Sequence, residues 1–461
     1  MTYKGKTIAV IGMAHTGLAI AEVMADLGAH VRIYDRKDPS ELAGEIKTAR
    51  TFGAEPMAGV DAVDLSGVDL LIPSPGVPLT HPALQQASKR GIETISEIEL
   101  AFRLSKAPII AITGTNGKTT TTIITGRMLG AAGVDAYIAG NVAAGDIRMP
   151  LALAAHKAGE QSIIVAEIST FQLELIGQFR PRIAMLLNIS SDHQDRHGTI
   201  EKYAALKARI FANQTADDHA IVNADSPLAA AIIPSLAANV LQFSIKSEPE
   251  QGGFVRDGQL ILRFDGVDSV LCKNSDIPLM GAHSVENVLA AACAATLCGI
   301  NADDLRRAIL DLTPIDDRLE PVTTINGVLY INNSMCTNVV AVVRSTEAID
   351  RPQIIISGGK MKGAGDDYTA VGEVFSRKAK HLILIGADSG VLRAAATKAG
   401  FDAITEAATM DEAVEIAHNL AQPGDAVVLT PGMASFDMFK SFEHRGMAFK
   451  QAVRRMEGGR R

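Results

Sequence analysis

The residues with the most chemical content stand at 113–119, Thr-Gly-Thr-Asn-Gly-Lys-Thr. Glycines let a backbone wrap closely around oxygen atoms, while loop amides and a helix N-terminus attract negative charge. Lys118 adds a point charge, and Thr119 brings a hydroxyl suited to Mg²⁺. The run is shorter than the usual GxxxxGK[ST] loop but keeps its GK[ST] end. The apolar Ala107-Pro-Ile-Ile-Ala-Ile112 before it predicts a buried strand, and a helical pattern follows. Strand, phosphate loop and helix in that order predict nucleoside triphosphate binding, cradled by Gly114, Thr115, Asn116, Gly117, Lys118, Thr119 and Thr120.

Further polar groups follow predicted strands. Glu167 ends Ile163-Ile-Val-Ala166, where a carboxylate could hold the Mg²⁺ that bridges phosphate oxygens. A solvated strand end is the plainer reading. Ile183-Ala-Met-Leu-Leu187 ends at Asn188 and leads into Asp192-His193-Gln-Asp-Arg-His197, where His193 is a second candidate metal ligand. Lys207 lies in a helical pattern, Tyr203-Ala-Ala-Leu-Lys-Ala-Arg, and by that pattern alone reads as a solvated helix lysine. Arg318, in Asp316-Asp-Arg-Leu-Glu320, suits either a nucleotide or a neighbouring carboxylate. Lys362, in Gly358-Gly-Lys-Met-Lys-Gly363, favours an anionic substrate group.

Positioning these groups takes several domains, because 461 residues exceed a single core. We read α/β units at 1–103, 104–312 and 313–461. In the first, strand 7–11 leads into Gly12-Met-Ala-His-Thr-Gly17, and strand 30–34 ends at Asp35. This is close to a dinucleotide fingerprint, except that Ala14 replaces its second glycine. Strand 69–72 ends in Ser74-Pro-Gly-Val77. The stretch 247–259 reads as a surface excursion with a turn, flanked by segments that suggest an antiparallel flap. With 47 % hydrophobic and 21 % charged residues, the composition is that of a folded, soluble protein. No apolar run reaches the roughly 18 residues of a membrane span, and no signal-peptide core opens the chain. The net charge of −8 argues against a nucleic-acid surface. Cys272, Cys293, Cys298 and Cys336 show no metal spacing and read as reduced cytoplasmic thiols.

Taken together, GMAHTG at 12–17, SPGV at 74–77, GTNGKTT at 114–120, EISTFQLE at 167–174 and DHQDRHG at 192–198 resemble the Mur ligase family. GAHSVEN at 281–287, DRLE at 317–320, TNVVA at 337–341 and ASFDMFKSFEHRG at 434–446 continue the resemblance through all three domains. FQLE and SFDMF point to the D-glutamate-adding branch. The resemblance implies an α/β architecture of three domains. A Rossmann-like N-terminal domain would bind the UDP substrate, a P-loop ATPase-like central domain ATP, and a Rossmann-like C-terminal domain the amino acid.

It also implies a reaction: ATP phosphorylates the carboxylate of UDP-N-acetylmuramoyl-L-alanine, and the amino group of glutamate attacks the acyl phosphate. Two Mg²⁺ ions are implied, with Thr119, Glu167, His193 and Lys207 around them, Lys207 as a carbamate formed with CO₂. Asn287, Arg318 and Asn333 are implied nucleotide contacts. His15, Thr16, Asp35, Arg36, Ser74, Gly76, Asn141 and Ser169 are implied on the UDP-substrate side. Thr337, Lys362, Ser435, Phe436 and Phe442 are implied for the incoming glutamate. A cytoplasmic monomer suffices for all of this, with no nucleic-acid or membrane partner.

The chain departs from the family pattern at Asp317, usually His, at Asn333, usually Asp, at Met335, usually Lys, and at Met361, usually Asp. Gly140-Asn-Val-Ala143 and Thr430-Pro-Gly-Met-Ala-Ser435 also differ. Most of these changes fall in the third domain. They leave D-glutamate, L-glutamate and another acidic acceptor open, and keep a nucleotide-binding relative without this activity as the alternative.

Overall fold

The computed structural model describes residues 2–192, 194–361 and 367–458. The chain forms two compact units, residues 1–189, 199–271 and 287–308 in one, and 190–198, 272–286 and 309–461 in the other.

The first unit holds two sheets. The smaller has the order Glu55–Ala58, His30–Asp35, Thr7–Ile11, Leu70–Pro73, Glu93–Thr94, all parallel. Its central strands, Thr7–Ile11 and Leu70–Pro73, are near-continuous apolar runs because both of their faces are packed. Strand order reverses at Thr7–Ile11, so the loops after Ile11 and after Pro73 lie side by side at the carboxyl edge, where open sheets receive ligands. That juxtaposition brings 12–17 and 74–77 together: Ser74 N donates to Ile11 O at 2.8 Å, and Ser74 Oγ to Gly12 O at 3.4 Å.

The larger sheet runs Val267–Lys273, Gln259–Phe264, Gly252–Arg256, Asn239–Ser244, His219–Asn223, Ile183–Leu186, Ile109–Thr113, Ile163–Glu167, Ala136–Gly140. From Gly252–Arg256 to Ala136–Gly140 every neighbouring pair is parallel. Ile109–Thr113 is its switch strand, flanked by the ends of Ile163–Glu167 and Ile183–Leu186. The stretch 247–259 is not wholly an excursion. Gly252–Arg256 continues the sheet and pairs antiparallel with Gln259–Phe264. Phe254 is its reason: the ring is fully buried, with Arg256 and Arg263 at 5.1 and 4.7 Å from its centroid.

The second unit carries a six-stranded sheet, Glu320–Ile325, Val328–Asn332, Ala426–Leu429, Gln353–Gly358, Ala379–Ile385, Ile404–Glu406. Only the Glu320–Ile325 edge is antiparallel to its neighbour. Its carboxyl edge gathers the loops after Asn332, Gly358 and Leu429. Among the described residues, no helix is long and apolar enough to cross a membrane.

Candidate active site

The phosphate loop leaves the switch strand at Thr113 and enters the helix Lys118–Ala131 through Gly117, which has φ 85°. A side chain there would be strained, and its β-carbon would lie 2.5 Å from Asn287 Oδ1. Asn287, on the helix Ala282–Leu297, also accepts from Thr121 Oγ1 at 3.2 Å. It therefore abuts the start of the loop helix. No acidic residue stands in that helix's first turn, which leaves its positive end uncompensated from within.

Asn188 grips the loop from the neighbouring strand end. Its Oδ1 accepts Asn116 N at 2.9 Å, its Nδ2 donates to Asn116 O at 3.0 Å, and its carbonyl accepts Thr115 N at 3.0 Å. Sequence reasoning marked Asn188 only as a polar strand end. The polar residue closing a buried strand beside the loop strand was the available signal.

Two lysines converge on one carbonyl. Lys118 Nζ donates to Gly114 O at 3.1 Å and to Thr115 O at 2.9 Å; Lys207 Nζ donates to Gly114 O at 2.8 Å. Lys207 is 1 % exposed and stands 4.4 Å from the Tyr203 ring centroid. Helical periodicity had it solvated. The helix Ile200–Ala208 instead turns this face inward beneath the loop, where the carbonyl and the aromatic face compensate the buried ammonium.

Glu167 is likewise no solvated strand end, at 2 % exposed. Oε2 accepts from Thr119 Oγ1 at 2.6 Å and Oε1 from Asn141 Nδ2 at 2.9 Å. A hydroxyl and a carboxylate, both hard oxygen donors, thus lie in contact at the mouth of an anion-attracting loop. That donor set fits Mg²⁺. Among the described residues no group of three His, Cys, Asp or Glu side chains is placed to hold a metal by itself. His193 and Lys362 lie outside the described residues.

Ser169 follows Glu167 and caps the short helix Thr170–Leu173 in a reciprocal box with Gln172. His15 Nε2 pairs with Arg148 O, and Thr16 lies in the same first turn of the helix His15–Asp26. Asp35 uses its carboxylate on backbone, accepting Met13 N at 2.8 Å and Lys37 N at 3.0 Å, and so shapes the 12–17 turn; Arg36 is exposed. Ser74 is part-buried against Gly12, and Gly76 is exposed.

In the second unit, Arg318 lies between two residues of left-handed backbone, Asp317 at φ 60° and Leu319 at φ 41°. Buried Asn333 fixes that bend by accepting Leu319 N at 3.2 Å. Arg445 is the residue that sequence reasoning missed. It is 1 % exposed, donates to Ser334 Oγ, Ser334 O and Met433 O, and so ties the 333–337 and 430–436 loops together. Burial pulls its guanidinium down to about 10. Those loops carry Thr337 and buried Ser435, with Phe436 largely exposed and Phe442 part-exposed at the start of the helix Phe442–Gly458.

Residues 6–96 match the family described as Mur ligase MurD-like, N-terminal domain, 112–295 the Mur ligase middle domain, and 317–433 the Mur ligase glutamate ligase domain. The chain is 40 % identical over 455 residues to the UDP-N-acetylmuramoylalanine–D-glutamate ligase of Pelotomaculum thermopropionicum, covering 98 % of each chain. It is 39 % identical over 456 residues to the protein of the same name from a Thermoanaerobacter species, covering 98 % of this chain and 99 % of that one. In fold it is similar to a pseudomurein peptide ligase type C from Methanothermus fervidus, with a TM-score of 0.62 at 19 % identity over 98 % of this chain and 100 % of that one.

Proposed function

This chain belongs to the Mur ligase family, and from that premise we propose that it joins D-glutamate to UDP-N-acetylmuramoyl-L-alanine in the cytoplasm, using ATP through an acyl phosphate. The observation that carries the reading is the convergence of Lys118, Lys207, Thr119 and Glu167 on one phosphate loop.

Direct attack of an amine on a carboxylate fails because oxide is a poor leaving group, whereas phosphate leaves readily. Residues 114–120 would hold the β- and γ-phosphates through backbone amides and the helix end, with Lys118 offsetting their charge. Asn188 keeps those amides aimed, because both ends of its amide are bonded to Asn116. Asn287, Arg318 and Asn333 are assigned to the nucleotide. Thr119 and Glu167 would hold Mg²⁺, with His193 as a ligand to a second ion. When bound, Mg²⁺ neutralises phosphate charge and lets two anions approach. We assign Lys207 as the site of a CO₂ adduct, in keeping with an amine buried beside the loop.

The loops 12–17, 35–36 and 74–76, with Asn141 and Ser169, are assigned to the UDP-linked substrate. Thr337, Lys362, Ser435, Phe436 and Phe442 are assigned to glutamate; Arg445 braces the loops that carry Thr337, Ser435 and Phe436. The lysine at 362 would favour an acidic acceptor.

The test is phosphate release from ATP with UDP-N-acetylmuramoyl-L-alanine and Mg²⁺, comparing D-glutamate, L-glutamate and no amino acid, with product mass as readout. A D-glutamate-dependent product is expected. Product with L-glutamate alone would reassign the acceptor, and no product with either would sink the proposed reaction.

A further inference from the structure

Glu97 opens the helix Glu97–Leu104 and is fully buried, an unusual place for a carboxylate. Its Oε1 accepts Ala152 N at 2.7 Å, the adjacent Leu151 N also points to it, and its Oε2 accepts Gln172 Nε2 at 3.3 Å. Gln172 turns its other end to Ser169: Oε1 accepts Ser169 N and Ser169 Oγ, each at 2.9 Å. The donor count fixes that amide's orientation, since two Ser169 donors face the oxygen.

The other branch reaches the same place. Leu151 begins a helix just after Met149, whose carbonyl accepts Gly140 N at 2.9 Å. Next along the chain, Asn141 donates its backbone N to Glu167 O and its Nδ2 to Glu167 Oε1, both at 2.9 Å. One carboxylate therefore anchors both segments that flank Glu167.

We infer that Glu97 and Gln172 are a positioning pair, holding Ser169 and the 140–149 segment in register with Glu167 and so setting how the UDP-linked substrate is received. The inference rests on the proposed function for that substrate. The pair's chemistry is specific. A carboxylate accepts at both ends, and an amide accepts at one end and donates at the other. E97Q leaves one acceptor for two sets of donors. Q172E sets two acceptors, and two like charges, against each other. Exchanging them in E97Q/Q172E restores a donor opposite every acceptor.

The experiment compares wild type, both single variants and the double variant. Each single variant should raise KM for UDP-N-acetylmuramoyl-L-alanine roughly tenfold, with KM for ATP within about twofold, and the double variant should return within about threefold of wild type. Single variants that match wild type, equal KM changes for all substrates, or a double variant no better than the worse single would overturn the inference. A wild type without ligase activity counts against the proposed reaction instead. Amide hydrogen exchange then decides on the pair. Ser169 and Ala152 amides should lose protection in each single variant and regain it in the double, and unchanged protection in the singles overturns the coupling. Should a single variant fail to fold, recovery in the double supports the pair and its failure overturns it.

Discussion

Asp317 Oδ1 occupies the space beside the α-carbon of Gly446: a β-carbon there would lie 1.9 Å from it. Asn332 lies beside both: its Nδ2 would stand 3.1 Å from that β-carbon, and it donates to Asp317 Oδ1 at 2.7 Å and to Glu320 Oε2 at 2.9 Å. Residue 317, where the chain departs from its family, is thus fitted to a helix 129 positions downstream, and it sets the bend that carries Arg318.

Gly446→Ala is therefore expected to displace Asp317 and destabilise its unit by about 1–3 kcal/mol through overpacking. Denaturant unfolding followed by fluorescence of a reporter in that unit measures it. A variant as stable as wild type would show that the helix yields without cost.

Asp317→Asn should be mild by contrast. Burial, ahead of every other influence, pushes the Asp317 carboxyl up, so its charged form is disfavoured in the fold. Its contribution is present below the unfolded carboxylate range and is lost as pH rises through the raised folded value. The amide keeps an acceptor for Asn332 without that loss. Stability of the variant relative to wild type should improve as pH is raised from below the ordinary carboxylate range toward neutrality.

His283 titrates the opposite way. Burial first, then the charges of Arg344 and Arg318, hold it at about 4 against an ordinary 6.5. Arg344 in turn pairs with Glu286 at 3.2 Å. Between those values the unfolded chain takes up a proton that the folded one refuses. Stability is complete above pH 6.5 and falls as pH drops toward 4, by at most about 3 kcal/mol before screening at its part-exposed edge. His283→Gln should flatten that limb of a thermal-melt pH series, and an unchanged slope would remove His283 as its cause.

Lys207→Met should keep the fold and lose turnover by on the order of 10²-fold or more, since a buried donor and charge vanish from beneath the phosphate loop. Single-turnover acyl-phosphate formation separates this from product release. A variant within about threefold of wild type would confine Lys207 to packing.

Glu167→Gln can retain contacts to Thr119 and Asn141 while shedding the negative charge. The Mg²⁺ concentration for half-maximal activity should rise roughly tenfold or more. An unchanged metal requirement would place the ion elsewhere.

What the sequence alone determined is local. The phosphate loop is a strand, a turn and a helix start within twenty-odd residues, and its glycines, lysine and threonine act through their own backbone. Its chemistry was therefore legible before any packing was known, as were the fingerprint-like turn at 12–17 and the order of the α/β units. The family motifs added likeness residue by residue, including at Lys207, which helical periodicity by itself reads as solvated.

Tertiary structure decided which polar groups leave water. Lys207 and Glu167 stand on an ordinary helix face and an ordinary strand end until the switch-point topology folds the loop over them. Asn188 becomes a clamp only because its strand lies beside Ile109–Thr113. Glu97 meets Gln172 across 75 positions, and Arg445 meets Ser334 across 111. Such pairings leave no periodic trace, because a buried donor needs only an acceptor at the right distance and angle, and any remote segment can supply it.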